Sequence, residues 1–527
     1  MPEQLQTNKG PEAYYKLASV WLLRGKADLA VEAYRNALDV DPFFVPACLE
    51  LSALLIERSE FEEALSLCLR AIDGNPNNRL LLDRIKTIRE KKASGVEKRQ
   101  ESLSGIIGPR RIKNDERQAI LVYSDCSGKD GAEQCSHIIM LDLEEAGYRV
   151  VCAQPFAEHS LVAERMRLGI EHYWLGEENL YAATDIKGLS LEDCQDLFSV
   201  VKPDLVFFSD GSPFSSLHAK KKAIEMEIPF VILTHCVNKQ WREERAPLMG
   251  DLRLVFENAE ELVSVSNQNL IDLRAHFALP FNKGRVIYNG RPDKFFQKRD
   301  LSTRLRIRKE LGISKNSVVC TTVGRMEVMK GYQYLLSAIE ILKDTTIWPE
   351  LHFVWIGTGT LENRFRSMAA EMGVDDSIHF LGSRNDVEDI LDASDLFVLP
   401  SQYEGMPLSV IEAMAKRLPV IASDVSGIPE ALGSTGFLVP DPRANPTLAS
   451  EQISSVIETW GPRIRNGEKL GQNAYERACK LFKSKKMLQS YRELVSLNLS
   501  TKIPQTNAIP ALASVPIKDF RSVGKGV

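Results

Sequence analysis

Glu404 and Glu412 stand eight positions apart in the stretch 401–414, around which the rest of the sequence is organised. The apolar run 395–399 predicts a short buried strand, Gly405 breaks it, and a helical pattern starts at Leu408. A strand, a tight loop and a helix N-terminus leave backbone N–H groups free and concentrate a partial positive charge. Such an element can bind an anion, most often a phosphate, and carboxylates beside it can accept hydrogen bonds from sugar hydroxyls.

The spacing of two glutamates is weak on its own, because a loop glutamate and a surface helix glutamate give the same pattern. Pro407 suits a first helical position, where its missing N–H is no loss. A second phosphate-type element strengthens the interpretation, since Gly324, Arg325 and Lys330 follow an expected strand at 318–323. Arginine offers a planar fork to phosphate oxygens and lysine a point charge, although two exposed surface cations are the alternative.

Composition places the chain among ordinary globular proteins and excludes one class of function. Its 527 residues predict about three domains, with 44% hydrophobic and 26% charged side chains. A net charge of -5 argues against a nucleic-acid binder, whose footprint would be basic. The nine cysteines form no C-x-x-C pair, so we expect reduced thiols and no metal site.

We expect a cytoplasmic protein whose contact with any membrane is peripheral. The first residues, Met1 to Gln4, lack the basic-then-apolar pattern of a secretion signal. The sequence also lacks a run of about eighteen apolar residues, roughly the length that an α-helix needs to span a bilayer. No integral membrane segment is therefore predicted.

Residues 11–78 contain an internal repeat with a period of 34. Large and small residues alternate in each copy, as two closely packed helices require, and a proline ends each copy. The corresponding positions are Tyr14, Leu17, Ala18, Trp21, Ala30, Tyr34, Ala37 and Pro42 in the first copy and Cys48, Leu51, Ser52, Leu55, Ala64, Cys68, Ala71 and Pro76 in the second. The pattern resembles the tetratricopeptide repeat, which binds proteins or self-associates.

Residues 79–93 fit the first helix of a third copy that caps the array, so the repeat region is expected to cover 1–93. A protein partner or self-association through the repeats is the expected role. The alternative is a helical extension that only supports the next domain. The stretch 94–118, rich in Lys, Arg, Glu and Ser, is interpreted as a linker.

From Ala119 onward, apolar runs alternate with helical patterns, which predicts parallel sheets in doubly wound α/β domains. The first domain is expected at 119–300 and the second at 301–497, followed by a flexible tail at 498–527. Ligands of such sheets bind at the carboxyl ends of the strands. Strands are expected at 119–122, 149–153, 204–208, 230–234, 262–265 and 285–288, then at 318–323, 351–356, 378–381, 395–399 and 419–422.

Short motifs in a fixed order point to a family. In the first domain they are Gly131-Ala132-Glu133, Thr234-His235 and Val286-Ile287-Tyr288-Asn289-Gly290. In the second they are Val323-Gly324-Arg325, Lys330-Gly331, Gly357-Thr358-Gly359, Phe380-Leu381-Gly382, Pro400-Ser401, Glu404-Gly405, Glu412-Ala413 and Gly427-Ile428-Pro429-Glu430. Across about residues 119–495 the chain resembles the retaining GT-B glycosyltransferases of family 4. The resemblance implies a GT-B fold of two Rossmann-like domains, the acceptor side before the nucleotide-sugar donor side, here preceded by an all-α repeat region.

The resemblance also implies roles for the charged residues of the second domain. Arg325 and Lys330, beside Gly324, would grip the donor diphosphate. Glu404 would hold the hydroxyls of the donor sugar, and Glu412 would bind the ribose. In chemical terms, two cations aimed at a departing diphosphate stabilise the charge that develops on it.

Further donor contacts are implied by the same resemblance. The N–H groups of Gly405, Met406 and Leu408 would help to position the sugar and the phosphates. Ser383 and Arg384, which follow the Phe380-Leu381-Gly382 motif, lie where the family holds the base. No cofactor beyond the nucleoside diphosphate sugar is expected.

The acceptor side offers fewer matches. His235 resembles the histidine that lies beside the donor sugar, although a lone histidine at a strand end is otherwise more often structural. Gly128 and Gly131 belong to the loop that the resemblance places on the acceptor side, but Asp130 stands where many relatives have a second glycine. Cys236 replaces a frequent aspartate. The acceptor therefore stays unidentified.

A third departure lies after Asn289-Gly290, where Arg291-Pro292-Asp293 stands in place of the Val-Asp of many relatives. The predicted function is a metal-independent retaining glycosyltransferase of the hexosyltransferase type, working in polysaccharide or glycoconjugate biosynthesis. The Asp39-Val40-Asp41 motif is interpreted as turn chemistry and not as a metal site. Two alternatives are a repeat scaffold with a catalytically silent transferase-like fold and another enzyme on this fold, such as an epimerase or a phosphorylase.

Overall fold

A computed structural model of the chain divides into two compact units, Met1–Ser104 and Gly105–Val527. The structure describes residues 10–23, 26–58, 60–74, 78, 80–81, 84–85, 87–88, 106–107, 115–126, 128–155, 157, 159–175, 191–466 and 470–500. The expected tail beyond residue 500 and the expected linker outside 106–107 and 115–118 lie outside the described residues.

The smaller unit consists of helix pairs that repeat at the expected period. Its helices are α1 (Pro11–Leu23), α2 (Ala27–Val40), α3 (Val45–Glu57) and α4 (Phe61–Gly74). The first helices of the two pairs start 34 residues apart, and so do the second helices. Small residues at their contacts, such as Ala30, Ala37, Ala64 and Ala71, are fully buried and permit close helix approach. The helix pairs are therefore confirmed, whereas the assignment to the tetratricopeptide repeat stays a prediction.

Part of the predicted capping helix is visible. Between 79 and 93 the structure describes residues 80, 81, 84, 85, 87 and 88. Of these, Leu81, Ile85 and Ile88 are buried in the same core as the helix pairs.

The larger unit begins with a domain built on an eight-stranded sheet. Its strands are β1 (Ile106–Ile107), β2 (Ala119–Ser124), β3 (Arg149–Pro155), β4 (Glu171–Leu175), β5 (Leu205–Asp210), β6 (Phe230–Thr234), β7 (Glu261–Ser264) and β8 (Arg285–Val286), in the spatial order β1-β4-β3-β2-β5-β6-β7-β8. All neighbouring strands are parallel except β1, which runs antiparallel to β4. Apolar runs such as β2 and β5 are buried along their whole length because helices cover both faces.

Helices connect these strands on both faces of the sheet. They are α5 (Gly131–Glu145), α6 (Ser160–Arg167), α7 (Leu191–Val201), α8 (Leu217–Glu225), α9 (Trp241–Glu244), α10 (Met249–Asn258) and α11 (Asn267–His276). Two strands of this sheet were not expected. β4 was missed because it starts with Glu171 and His172 and is not an apolar run. β1 lies inside the predicted linker 94–118, and its two residues are too few to give a pattern.

The second domain contains a six-stranded sheet whose paired strands are all parallel. Its strands are β9 (Val318–Val323), β10 (Leu351–Ile356), β11 (Ile378–Phe380), β12 (Leu396–Leu399), β13 (Val420–Ser423) and β14 (Phe437–Val439), in the order β11-β10-β9-β12-β13-β14. Its helices are α12 (Leu301–Glu310), α13 (Tyr332–Leu342), α14 (Glu362–Met372), α15 (Val387–Ala393), α16 (Leu408–Ala415), α17 (Ile428–Leu432), α18 (Pro446–Arg465) and α19 (Gln472–Leu481). Five of the six strands were expected to within two residues, and β14 was not expected.

The last helix, α20 (Ser484–Ser500), was expected to belong to the second domain but packs on the first. The ring of Tyr491 lies 6.3 Å from that of Phe207 on β5, and Arg492 pairs with Asp142 on α5 at 2.7 Å. The chain therefore crosses between the domains twice. Sequence periodicity predicts that a helix has an apolar face, but not which domain that face will cover.

Candidate active site

A cavity of about 1820 Å³ lies between the carboxyl ends of the two parallel sheets. Loops that follow strands of the first domain line one side of it, and loops that follow β9, β10 and β12 line the other. This is the position at which open α/β sheets bind ligands. All thirteen predicted site residues line this cavity: Gly128, Gly131, His235, Gly324, Arg325, Lys330, Ser383, Arg384, Glu404, Gly405, Met406, Leu408 and Glu412.

The loop after β9 presents Lys330 to the carboxylate of Glu404. Their Nζ and Oε1 atoms are 2.6 Å apart, and the Ser401 hydroxyl donates to the same oxygen at 2.8 Å. Gly331, at φ +76°, follows the lysine, and a Cβ added there would lie 1.8 Å from the Pro400 carbonyl oxygen. Only glycine fits this approach, so it brings the two loops together.

Arg325 is the freer of the two cations. Its side chain is exposed and lines the cavity, and within the described part of the chain its guanidinium makes no ion pair or hydrogen bond. Gly324 precedes it, and its N–H donates to the Ile356 carbonyl at 2.9 Å, which fixes the turn that follows β9. An unpaired guanidinium at a strand end is available to an anionic ligand.

The loop between β12 and α16 brings backbone amides to the cavity. A Cβ added at Gly405 would lie 1.7 Å from the His235 carbonyl oxygen, so this glycine lets the two domains meet. Met406 accepts a hydrogen bond from the Asn289 side chain at 3.0 Å. Helix α16 starts at Leu408, with Pro407 one residue earlier than expected, in the capping position. The positive end of α16 therefore faces the cavity.

Glu412 lies one turn further along α16 and is 5% exposed. Its Oε1 forms an ion pair with Arg291 of the first domain at 2.7 Å. Burial raises the pKa of Glu412, and the neighbouring Arg291 charge acts in the opposite direction. The residue assigned to ribose by resemblance is thus already paired, which sequence reasoning did not anticipate.

His235 ends β6 and is almost fully buried. Its Nε2 bonds the Ser209 hydroxyl at 3.0 Å, which in turn bonds the Ser136 hydroxyl at 2.6 Å. Burial lowers the pKa of His235 to about 4, so the imidazole is neutral near pH 7. Its Nδ1 has no hydrogen-bond partner among the described residues. Burial also raises the pKa of the adjacent Cys236 thiol to about 12, so that thiol is not ionised.

Of the two residues predicted to contact the base, Arg384 is committed to other partners. Arg384 donates to both carboxylate oxygens of Asp386 at 2.8 Å and pairs with Glu310 at 3.1 Å. Its guanidinium is therefore engaged within the protein, and Ser383 is the less constrained of the two. The contact of this segment with a base stays a prediction.

The loop from Gly128 to Gly131 opens α5. Asp130 caps this helix, accepting from the N–H groups of Ala132 and Glu133 at 3.1 and 3.2 Å. A Cβ added at Gly131 would lie 3.5 Å from the Leu408 side chain, so the N-terminal ends of α5 and α16 approach each other. The Asp130 carboxylate offsets the positive end of α5, whereas no such side chain caps α16. An anion is therefore better accommodated at α16.

Sequence reasoning missed an aromatic and basic group on the first-domain side. The Trp241 ring meets the Tyr403 ring edge-on at 6.2 Å, and the Arg245 guanidinium lies over Trp241 at 5.6 Å and over Phe214 at 5.7 Å. Arg245 also donates to the Ser212 hydroxyl at 3.2 Å. These residues line the cavity. No local motif marks Trp241 and Arg245, because they come from a four-residue helix and the turn that follows it.

Within the ranges that the structure describes, no His, Cys, Asp or Glu side chains gather in threes or more as a metal site would require. In the same ranges, no helix combines the length and the apolar character needed to cross a bilayer.

Comparisons with known proteins agree with this architecture. Residues 129–294 match the family model described as Glycosyltransferase Family 4, and residues 303–477 match the model described as Glycosyl transferases group 1. HepE from Anabaena, solved in complex with UDP and glucose, superposes with a TM-score of 0.60 at 19% identity, covering 72% of this chain and 99% of that one.

Two curated relatives illustrate the sequence similarity. The UDP-Gal:alpha-D-GlcNAc-diphosphoundecaprenol alpha-1,3-galactosyltransferase of Escherichia coli is 40% identical over 120 residues, 23% of this chain and 31% of that protein. The D-inositol 3-phosphate glycosyltransferase of Corynebacterium efficiens is 28% identical over 267 residues, 48% of this chain and 62% of that protein. The chain thus spans less than two thirds of the length of either relative. The larger unit has the GT-B fold, and the two family models match it one after the other, the first within its first α/β domain and the second within its second.

Proposed function

We propose that this protein is a retaining, metal-independent glycosyltransferase that moves a sugar from a nucleoside diphosphate sugar to an acceptor hydroxyl. One observation carries the proposal: Arg325, Lys330, Glu404 and the N-terminal end of α16 line a single cavity between two α/β domains. The relatives named above are sugar transferases, which supports the same class of reaction for this chain.

The chemistry of transfer explains why these groups belong together. The bond from sugar C1 to the diphosphate oxygen breaks, a bond from C1 to the acceptor oxygen forms, and the acceptor proton leaves with the departing diphosphate. Negative charge therefore grows on the diphosphate while the sugar becomes cationic. Arg325, Lys330 and the amides at the start of α16 would stabilise the departing group, and removing one such contact typically costs about 3 kcal/mol of the barrier.

Glu404 would orient the sugar. Both of its described contacts, from Lys330 and Ser401, fall on Oε1. The second oxygen, Oε2, has no hydrogen-bond partner among the described residues and can accept from a sugar hydroxyl. The neutral imidazole of His235, with its unpartnered Nδ1, would offer a further hydrogen bond close to the sugar.

Several finer features belong to the same proposal. Retention follows from the resemblance to family 4, and independence from a metal follows from the positive charge that the protein itself would supply. The nine free cysteines suit a reducing compartment, which supports a cytoplasmic site with peripheral contact to a membrane. The setting would be polysaccharide or glycoconjugate biosynthesis, and the helix pairs of the smaller unit would engage a protein partner or a second copy.

The test is release and transfer of sugar from UDP, GDP and ADP sugars by the purified full chain in the presence of a chelator. We expect one donor class to be used and Glu404→Gln and Arg325→Ala to reduce the rate by on the order of 100-fold. Arg306→Ala is the matched control, because Arg306 is an exposed cation of the same domain outside the cavity. A folded protein that binds no donor would favour the catalytically silent scaffold, whereas unchanged rates in both variants would contradict the proposed roles of Glu404 and Arg325.

A further inference from the structure

We call residues 289–293 the hinge, because they lead out of the first domain toward the second. Within the hinge, Arg291 pairs with the buried carboxylate of Glu412. Its backbone N–H donates to the Phe482 carbonyl at 2.8 Å, and its carbonyl accepts from the Ser484 N–H at 2.9 Å. Those residues form the second crossing of the chain between the domains. The backbone of Arg291 is therefore fixed where the two stretches of chain that connect the domains are hydrogen-bonded to each other.

The guanidinium of Arg291 is also held from its other sides. It donates to the Gln134 side chain at 2.9 Å and lies over the Phe295 ring at 4.4 Å. Its Nε atom is buried without a hydrogen-bond partner among the described residues. Arg291 itself is 7% exposed, so its charge is compensated mainly by the Glu412 carboxylate. Removing either partner would leave the other as an uncompensated buried charge.

The position of the pair in the cavity gives it a use. Glu412 projects from the second turn of α16, behind the amides that we assign to the diphosphate, and it lines the same cavity as Arg325. Arg291 approaches Oε1, and within the described residues no hydrogen bond is made to Oε2. Within the described residues, the carboxylate is thus held by Arg291 on one oxygen and open to a ligand on the other.

We propose that Arg291 is a positioning residue that keeps the Glu412 carboxylate ionised and turned toward the ribose hydroxyls of the donor nucleotide. This inference rests on the proposed function. It adds that the first domain, through a hinge residue, sets the affinity of the second domain for ribose. Because the Arg291 backbone belongs to the crossing, a change in the angle between the domains would displace the guanidinium and weaken ribose binding.

The closing experiment measures binding of UDP and of 2′,3′-dideoxy-UDP to the full chain by calorimetry. We expect the wild type to prefer UDP by roughly tenfold or more, as hydrogen bonds to a charged group allow. In Arg291→Met the preference should collapse toward one, because UDP binding weakens while dideoxy-UDP binding is nearly unchanged. Arg291→Lys, which keeps the charge, should retain an intermediate preference.

Two further variants make the result specific. Glu412→Gln should also lose the preference, which locates the ribose at this carboxylate. Lys298→Met should keep it, because Lys298 is an exposed lysine shortly after that segment and does not line the cavity. Thermal unfolding of each variant shows whether it is folded, and if Arg291→Met is not, Arg291→Lys carries the test.

A pH profile separates positioning from a merely structural role. The charged groups around the Glu412 carboxylate are Arg291 and the Lys294–Glu388 pair, and burial favours the neutral acid. UDP affinity should be complete above the pKa of Glu412 and fall as the pH drops through it. Without the Arg291 charge this loss should begin at higher pH than in the wild type.

The outcomes are distinct. An intact preference for UDP in Arg291→Met, or equal weakening of both ligands, would overturn the role of Arg291 while leaving the proposed function in place. A wild-type chain that binds none of UDP, GDP and ADP would overturn the proposed function and this inference together.

Discussion

The two sides of the cavity are built differently. On the second-domain side, Lys330 and Glu404 sit on loops at strand ends and are tied to each other and to Ser401. On the first-domain side, Trp241 and Arg245 come from a helix of four residues and the turn after it. The side proposed for the donor therefore has one geometry set by a few motif residues. The side proposed for the acceptor relies on loops whose sequence can change without altering the sheet.

The largest effect should come from the point where the two sides meet. Gly405→Ala would place a Cβ 1.7 Å from the His235 carbonyl oxygen, so the α16 loop or β6 must shift. Displacement of the reacting groups by about 1 Å can cost on the order of 100-fold in rate, and we expect at least that loss in sugar transfer. Gly250→Ala on α10 is the control, because its Cβ would meet nothing within 4 Å. A transfer rate within the error of the wild type would show that the contact is dispensable.

The next largest effect tests the donor side alone. Lys330→Met removes a cation from the proposed diphosphate site and leaves the nearly buried Glu404 carboxylate without its ion pair. We expect a fall in the rate of donor hydrolysis of on the order of 100-fold, measured as release of the nucleoside diphosphate. Lys309→Met, an exposed lysine of α12, should change nothing. Equal losses in the two variants would mean that the effect is one of overall charge.

This asymmetry also sets how much could be predicted from the sequence. The strand at 318–323 was predicted to the residue, because it is an unbroken run of apolar and β-branched residues, which suits a parallel strand covered on both faces. Arg325, Lys330 and Glu404 were predicted to share a crevice, since loops after neighbouring parallel strands meet at one edge. The fold of both α/β domains followed from such local patterns.

What was missed depends on distant parts of the chain. The Arg291–Glu412 pair joins residues 121 positions apart through the hinge, and no local pattern encodes such a contact. Helix α20 has an ordinary apolar face, and only the double crossing decides that it covers the first domain. Trp241 lies on a helix of four residues, which is too short to show any periodicity.

A smaller effect should be confined to the first-domain side. Trp241→Ala removes an aromatic face that a sugar acceptor could pack on, while the donor contacts are untouched. We expect roughly tenfold weaker acceptor use, equivalent to about 1.4 kcal/mol, with donor hydrolysis in the absence of acceptor unchanged. The ratio of transfer to hydrolysis measures this, with the exposed neighbour Arg242→Ala as the control. If donor hydrolysis fell as much as transfer, the division of the cavity into two sides would be wrong.

The smallest effect on chemistry should come from removing the helix pairs. A chain that starts at Gly105 retains β1 on the edge of the first sheet. We expect donor hydrolysis at close to the wild-type rate, because the cavity-lining residues that the structure describes belong to the larger unit. Oligomer size and partner capture should change instead, as light scattering and pull-down from extract would show. If the truncated chain is fully active and its oligomer size and partner capture are unchanged, the helix pairs are only a spacer.

The central claim is that the second-domain side of the cavity neutralises a diphosphate. The most direct test compares the affinities of UDP and UMP for the wild type and for Arg325→Ala, with Arg306→Ala as the control. We predict that UDP binds more tightly than UMP in the wild type, and that Arg325→Ala reduces this advantage by roughly tenfold, since charge-assisted hydrogen bonds to the terminal phosphate are lost. An advantage that is absent in the wild type, or unchanged in Arg325→Ala, would contradict the claim.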